Sequence, residues 1–340
     1  MKKVCFYITT RGNYAKTKTV IDGLKDNQDI ELQYIVGGDC PDMEFYGETY
    51  PLNIGSGEAR SVPLISNGAI FILEMAKPDL LVIVADRFET LPMAIVAHYM
   101  GIPIAHLEGG EDSGAIDNKI RHANTQLADL HFPCTEKAKK RIVDTGINKE
   151  LVFNYGATSF DMLRLNKDNG IEANTPYLLV TFHPGSMAKD ILKDQFKNLL
   201  WGVSSLGIET YWIRPNIDAG SKLINKELDK VKWEFIHITD SMKIEQYAPL
   251  MANASCIVGN SSTGIREASF LGTPVVNVGG RQNTRELPEN VINVEAISKD
   301  IMTAIVQQIE HGRYEPDYTY GDGYSGEKIA EEIREYLNVA

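Results

Sequence analysis

The sequence predicts an α/β protein of two domains, each built on an open parallel sheet, and three observations predict it. Short β-branched and aromatic runs alternate with amphipathic stretches along most of the chain, the pattern of parallel strands joined by helices. A polar, turn-rich segment at residues 164–176 interrupts this alternation, which then restarts. The length, 340 residues, suits two domains at about 100 to 200 residues each.

In the first half the strand candidates are residues 4–9, 32–36, 80–84, 103–107, 130–132 and 151–155. In the second half they are residues 177–182, 209–213, 234–238, 256–258 and 274–278. The domain boundaries expected are 1–165 and 175–323, with a closing helix at 324–340 packing back toward the first domain.

Composition narrows the partners. Lys and Arg number 34 against 46 Asp and Glu, a net charge of -12 that repels nucleic acid and anionic lipid. Any anionic ligand must then be held by a local arrangement. The cysteines Cys5, Cys40, Cys134 and Cys256 are too widely spread for zinc knuckles or a compact disulfide framework, which points to a reducing cytoplasm. The Met1-Lys2-Lys3 start is followed by too short an apolar stretch for a signal peptide. No apolar run approaches the ~20 residues that cross a bilayer, and the mean hydropathy is -0.20.

Open α/β sheets hold ligands beyond the carboxyl ends of their strands, so functional residues are expected just after strands, in a cleft between two facing domains. The first strand runs into Thr9-Thr10-Arg11-Gly12-Asn13-Tyr14-Ala15-Lys16. Helix amides there, with Arg11 and Lys16, suit an anion; two solvated surface cations are the plainer alternative. No glycine triplet is spaced for a dinucleotide, so no nicotinamide or flavin cofactor is expected.

Residues 80–84 run into Ala85-Asp86-Arg87-Phe88-Glu89, which puts Asp86 at the reactive edge of the sheet, or else at a helix cap. Residues 103–107 lead into Glu108-Gly109-Gly110-Glu111-Asp112-Ser113-Gly114-Ala115-Ile116-Asp117, a loop of acids threaded with glycines. Glycines there let backbone approach a ligand closely, and the acids repel one another unless a cation, a proton or a substrate hydroxyl sits among them. A solvated acidic loop is the alternative. His106, inside its strand, is assigned to packing and hydrogen bonding.

In the second half, the strand at 177–182 ends in His183-Pro184-Gly185-Ser186. Residues 256–258 give way to Gly259-Asn260-Ser261-Ser262-Thr263-Gly264-Ile265-Arg266-Glu267-Ala268, a hydroxyl-rich turn into a helix that suits a pyrophosphate or is simply capped by its serines. Residues 274–278 lead to Gly279-Gly280-Arg281-Gln282-Asn283-Thr284-Arg285, which adds two cations at the next strand exit.

These segments, in this order, resemble the UDP-N-acetylglucosamine 2-epimerase family over nearly the whole chain, in particular its hydrolysing branch that makes sugars for sialic and legionaminic acid synthesis. The carriers are Asp86-Arg87-Phe88-Glu89, His106-Leu107-Glu108-Gly109-Gly110, the run from Gly114 to His122, His183-Pro184, the run from Asn260 to Ala268, the run from Gly280 to Arg285, and Tyr320-Gly321-Asp322-Gly323. The resemblance implies a glycosyltransferase-B-like architecture of two Rossmann-like domains, with the nucleotide held mainly by the second. It implies Asp86, Glu108 and Asp117 as catalytic carboxylates and His183 beside the leaving phosphate. For the nucleotide and its pyrophosphate it implies Arg11, Lys16, Arg214, Ser261, Ser262, Gly264, Glu267, Arg281 and Arg285. It implies no cofactor, no metal, a UDP- or GDP-linked sugar as the small-molecule partner, and a cytoplasmic homo-oligomer, dimer or tetramer. Departures from the family pattern are Thr9 in place of a glycine, a shortened stretch at 37–63, and Gly185-Ser186 after His183-Pro184. The alternatives are a non-hydrolysing epimerase, a glycosyltransferase of the same architecture, and an inactive nucleotide-sugar sensor.

Overall fold

A computed structural model describes the chain except residues 39–42, 56–57, 113–116, 170–174, 185–187, 216–219, 241, 283–284 and 340. By their own contacts the residues divide into unit 1, residues 1–162 with 320–340, and unit 2, residues 163–319. Unit 1 carries strands β1 (Lys2–Ile8), β2 (Ile30–Gly37), β3 (Glu48–Leu52), β4 (Leu80–Val84), β5 (Ile104–Leu107) and β6 (Leu130–Phe132). Unit 2 carries β7 (Tyr177–Thr181), β8 (Glu209–Ile213), β9 (Ile236–Thr239), β10 (Cys256–Gly259), β11 (Val275–Val278) and β12 (Val291–Val294).

Both sheets are parallel throughout and share one order, β3-β2-β1-β4-β5-β6 and β9-β8-β7-β10-β11-β12. This is the doubly wound Rossmann order, and its direction reverses between β1 and β4 in one unit and between β7 and β10 in the other. The α/β, two-sheet architecture expected from the sequence is therefore present.

The central strands are apolar on both faces because helices cover both. On β1, Val4, Phe6 and Ile8 face Val20, Ile21 and Leu24 of the helix Arg11–Leu24, while Cys5 and Tyr7 face Ile65, Ala69 and Leu73 of the helix Glu58–Ala76. That is the period-two alternation of a strand. In unit 2, Leu178, Val180 and Phe182 pack with Phe196, Leu199 and Val203 of the helix Lys189–Ser204 and with Trp212.

The helix Ser325–Leu337 follows unit 2 in the chain yet packs on the helix Arg11–Leu24 of unit 1. The approach is close: a Cβ on Gly23 would stand 2.7 Å from Ala330 Cβ. Buried Asp161 anchors the start of this helix, its two carboxylate oxygens accepting from the Ser325 and Gly326 amides at 2.8 and 2.6 Å. An acid there satisfies exposed amides and complements the helix dipole.

Three strand assignments differ from the sequence expectation, all at sheet margins. β3 and β12 are edge strands not anticipated: β3 contains Pro51 and is mostly exposed, and β12 is only half-buried, so neither has the continuous apolar run of a central strand. Residues 151–155 form no strand. A single 3-10 turn, Lys149–Leu151, uses up the first of them, and only Val152 bridges to His131 beyond β6.

Candidate functional site

In unit 1 the parallel ladder runs one residue past β4 and β5. The Ala85 amide donates to the Leu107 carbonyl at 2.8 Å, and the Glu108 amide to the Phe132 carbonyl at 2.9 Å. Both residues then turn into the left-handed region, φ +55° at Ala85 and +58° at Glu108. A side chain there costs on the order of 1 kcal/mol or more and persists only where the surroundings over-determine it. Two neighbouring strands thus end in the same sharp bend, one just before Asp86 and one at Glu108.

The acids at these bends are matched by the unit's own cations. Buried Glu108 pairs with the Lys16 ammonium. Asp86, partly exposed, pairs with Arg121, whose other guanidinium nitrogen donates to the Glu111 carbonyl at 3.1 Å. Buried Glu89 is held by Arg87 at 2.6 and 3.1 Å. Repulsion among clustered carboxylates is therefore answered by ion pairs within the unit. Asp86 is not a helix cap: the next helix, Thr90–Tyr99, has Glu89 at that position. Asp117 is exposed at the N-cap of the helix Asn118–Leu127, and its side chain makes no capping bond.

That helix supports both bends. Arg121, Asn124 and Thr125, at i, i+3 and i+4, lie on one face and are buried. Asn124 Nδ2 lies 3.4 Å from the Ala85 carbonyl and 2.6 Å from Thr90 Oγ1. His106, fully buried on β5, sits 2.9 Å through Nε2 from the same Ala85 carbonyl and 3.2 Å through Nδ1 from Thr125 Oγ1. Burial pushes its pKa down to about 3. Packing and hydrogen bonding is thus where the structure places His106.

The glycines of the acidic loop answer to packing. A Cβ on Gly109 would stand 2.9 Å from His106 Nδ1, and one on Gly110 would stand 2.6 Å from the Ala138 carbonyl. Close approach is required, as the sequence suggests, but among the described groups it is to the protein's own side chains and backbone. Residues 113–116 of this loop lie outside the described residues, as do 185–186 and 283–284 of the unit 2 motifs.

In unit 2 the ends of β7 and β10 are tied at the reversal point. Asn260 Nδ2 donates to the His183 carbonyl at 2.8 Å, the His183 amide donates to Asn260 Oδ1 at 2.7 Å, and His183 is buried. Arg281 and Gln282 both donate to the Asn260 carbonyl at 2.9 Å, and Arg285 Nε donates to Gln282 Oε1 at 2.9 Å. Gly259 has φ +140°, and a Cβ there would stand 2.0 Å from the Thr181 carbonyl, so no other residue fits.

The helix expected after Ser261 is one turn, Ser262–Ile265, separated by Arg266 from a second turn, Glu267–Phe270. So short a helix aligns few peptide dipoles, which leaves single amides and hydroxyls to meet an anion. Ser261 Oγ accepts from the Thr263 amide at 3.4 Å. Buried Gly264 lets this turn lie on β11, where a Cβ would stand 3.3 Å from Val275 Cγ1, and Glu267 is half-buried.

The remaining sequence candidates are spread out. Arg11 is exposed at the first position of its helix, which Thr10 caps by accepting from the Asn13 amide at 3.2 Å. Lys16, grouped with the anion-binding residues by sequence, is engaged with Glu108. Arg214 is likewise engaged, 2.7 Å from Asp229 and 3.5 Å from Asp240. Sequence reasoning missed Asn124 and Thr125: their i, i+3, i+4 spacing with Arg121 marks one helix face but not that the face is buried. Among the described residues no three His, Cys, Asp or Glu side chains converge as a metal site would need.

A family model described as UDP-N-acetylglucosamine 2-epimerase matches residues 49–334. A Legionella pneumophila protein named UDP-N,N'-diacetylbacillosamine 2-epimerase (hydrolyzing) is 28% identical over 96% of this chain and 94% of its own length. A Campylobacter jejuni protein named GDP/UDP-N,N'-diacetylbacillosamine 2-epimerase (hydrolyzing) is 30% identical over 86% of this chain and 84% of its own. Among solved structures, the Neisseria meningitidis UDP-GlcNAc 2-epimerase bound to UDP-GlcNAc superposes with a TM-score of 0.82 at 20% identity, covering 98% of this chain and all of that one.

Proposed function

The chain belongs to the UDP-N-acetylglucosamine 2-epimerase family, and we propose from that premise that it is a hydrolysing nucleotide-sugar 2-epimerase. It takes UDP-N-acetylglucosamine, or a related UDP- or GDP-linked 2-acetamido sugar, to the free manno-configured sugar and a nucleoside diphosphate, feeding sialic or legionaminic acid synthesis in the cytoplasm. The observation that carries the reading is the pair of bends after β4 and β5, which present Asp86 and Glu108 at the carboxyl edge of one sheet. The names of the Legionella and Campylobacter relatives support the hydrolysing mode.

The chemistry needs the diphosphate to leave first, because the sugar's C2 hydrogen is too weakly acidic for a carboxylate to remove unaided. As the C1–O bond breaks, its electron pair departs with the diphosphate. The C2–H pair becomes the C1–C2 double bond of a glycal, and a carboxylate takes the proton. Water then adds its oxygen to C1 and gives up a proton to a carboxylate, while a carboxylic acid protonates C2 on the opposite face. Asp86, Glu108 and Asp117 divide these proton transfers, each typically worth ~100- to 10,000-fold in rate. Lys16 and Arg121 pair with Glu108 and Asp86 and fix their direction. In unit 2, Ser261, Ser262, Arg281 and Arg285 serve the diphosphate, with His183 as proton donor to it.

Incubation with UDP-N-acetylglucosamine and with its diacetylbacillosamine counterpart in heavy water tests the proposal. Free 2-deuterated manno-configured sugar with released UDP is the expected outcome. A deuterated UDP-linked epimer as end product replaces hydrolysis with reversible epimerisation, and a transferred glycoside or untouched substrate defeats the reading.

A further inference from the structure

The Ala85 peptide is held on both sides, its carbonyl by buried side chains that the reaction itself does not use. Its amide is fixed by the Leu107 carbonyl at 2.8 Å, and its carbonyl faces His106 Nε2 at 2.9 Å and Asn124 Nδ2 at 3.4 Å. A carbonyl only accepts, so Nε2 carries the ring's hydrogen. Burial keeps the ring neutral, so Nδ1 is bare and faces the Thr125 hydroxyl at 3.2 Å, whose single hydrogen is shared with the Arg121 carbonyl at 3.0 Å. Asn124 also donates to Thr90 Oγ1 at 2.6 Å, and that hydroxyl in turn donates to the Arg87 carbonyl at 2.6 Å. Asp86 therefore stands between two pinned peptide groups, Ala85 on one side and Arg87 on the other.

We infer that His106, Asn124 and Thr125 are positioning residues that hold Ala85 in its left-handed conformation and so aim the Asp86 carboxylate. The inference rests on the role proposed above for Asp86. Without the two donors on its carbonyl, Ala85 relaxes to an ordinary φ and Asp86 swings away from the direction in which Arg121 holds it. The same arrangement explains Gly109, because a methyl group at that position would press on both His106 Nδ1, at 2.9 Å, and Thr125 Oγ1, at 3.1 Å. One helix face thereby sets Asp86 by its side-chain partner, through Arg121, and by its backbone, through Asn124 and the Thr125–His106 relay.

Steady-state kinetics with UDP-N-acetylglucosamine, followed by UDP release, test this. Asn124→Ala and His106→Leu are expected to lower kcat about 100-fold, the effect of a misplacement near 1 Å, while KM and UDP affinity stay within about 3-fold. His106→Gln, whose terminal amide can still donate to the Ala85 carbonyl, is expected to recover kcat to within about 10-fold of the parent. Folded Asn124→Ala with parental kcat overturns the inference, as does a His106→Gln no better than His106→Leu. A parallel loss of UDP affinity overturns it too, since that marks general disruption. Thermal unfolding monitors each variant, and Asn124→Ala, a change to a good helix former, decides the matter if His106→Leu does not fold. Asp86→Asn separates the two levels. A dead Asp86→Asn beside a fully active Asn124→Ala defeats only the positioning inference, whereas an active Asp86→Asn defeats the role of Asp86 itself.

Discussion

The carboxyl edges of the two sheets invite comparison because the strands beneath them follow the same order. At the β4 and β5 ends of unit 1 the bends are made by Ala85 and Glu108, residues with side chains, and the groups presented are acids locked to Arg121 and Lys16. At the β7 and β10 ends of unit 2 the bend falls on Gly259, and the groups presented are the His183–Asn260 clamp, two serines and the Arg281–Gln282–Arg285 cluster around one carbonyl. One backbone plan therefore carries paired acids at one sheet edge and a donor-rich cluster at the other. Strand order fixes where functional groups stand, and the few residues after each strand fix what they do.

That contrast is broken most sharply by Asp117→Asn. It is expected to lower kcat about 1,000-fold while UDP affinity, measured by titration calorimetry, is unchanged; a loss of affinity with kcat preserved would move Asp117 to the binding side. Acid should separate the units next. Burial holds His106 at about 3 and His131, its neighbour across β5 and β6, at about 4, against about 6.5 in an unfolded chain. The unfolded chain takes up more protons between those values. The stability contributed by these neutral rings is therefore complete above about pH 6.5 and drains away as pH falls toward the folded values, about 2 kcal/mol from each by pH 5. Calorimetry should show the unit 1 transition falling between about pH 7.5 and 5, with roughly half the fall removed by His131→Leu; an unmoved transition refutes the assignment. The smallest effect is expected from Arg285→Ala, about 10-fold weaker UDP binding with kcat nearly unchanged. A kcat loss without an affinity loss there would erase the difference between the two edges.

The parts of this molecule that were legible in its sequence are those where one physical demand dominates. Leu80–Val84 reads as a central strand because a parallel sheet covered on both faces demands an unbroken apolar run. β3, with Pro51, and β12 stand at edges where that demand lapses, and they were missed. Strand-end acids stand out by position, but their support does not. Arg121, Asn124 and Thr125 repeat at a spacing that a solvated helix face shows equally well, and only the fold reveals that this polar face is buried. Gly109 and Gly110 were legible as sites of close approach, though not as contacts with His106 and Ala138. The break at Arg266, which cuts the expected helix to single turns, follows Gly264 by two residues, and a lone glycine inside a helical pattern does not by itself mark an end.

The return of Ser325–Leu337 to the helix Arg11–Leu24 sets an order of assembly on the ribosome. Unit 2 is one continuous stretch of chain and can close as soon as it has emerged. Unit 1 is begun first, but the side of its first helix that bears Gly23 stays uncovered until the helix Ser325–Leu337 arrives. At about 5 to 20 residues per second, the synthesis of unit 2 imposes a wait on the order of ten seconds or more. For that interval the nascent chain leaves uncovered the part of the first helix, beside Gly23, against which Ala330 and its neighbours later pack.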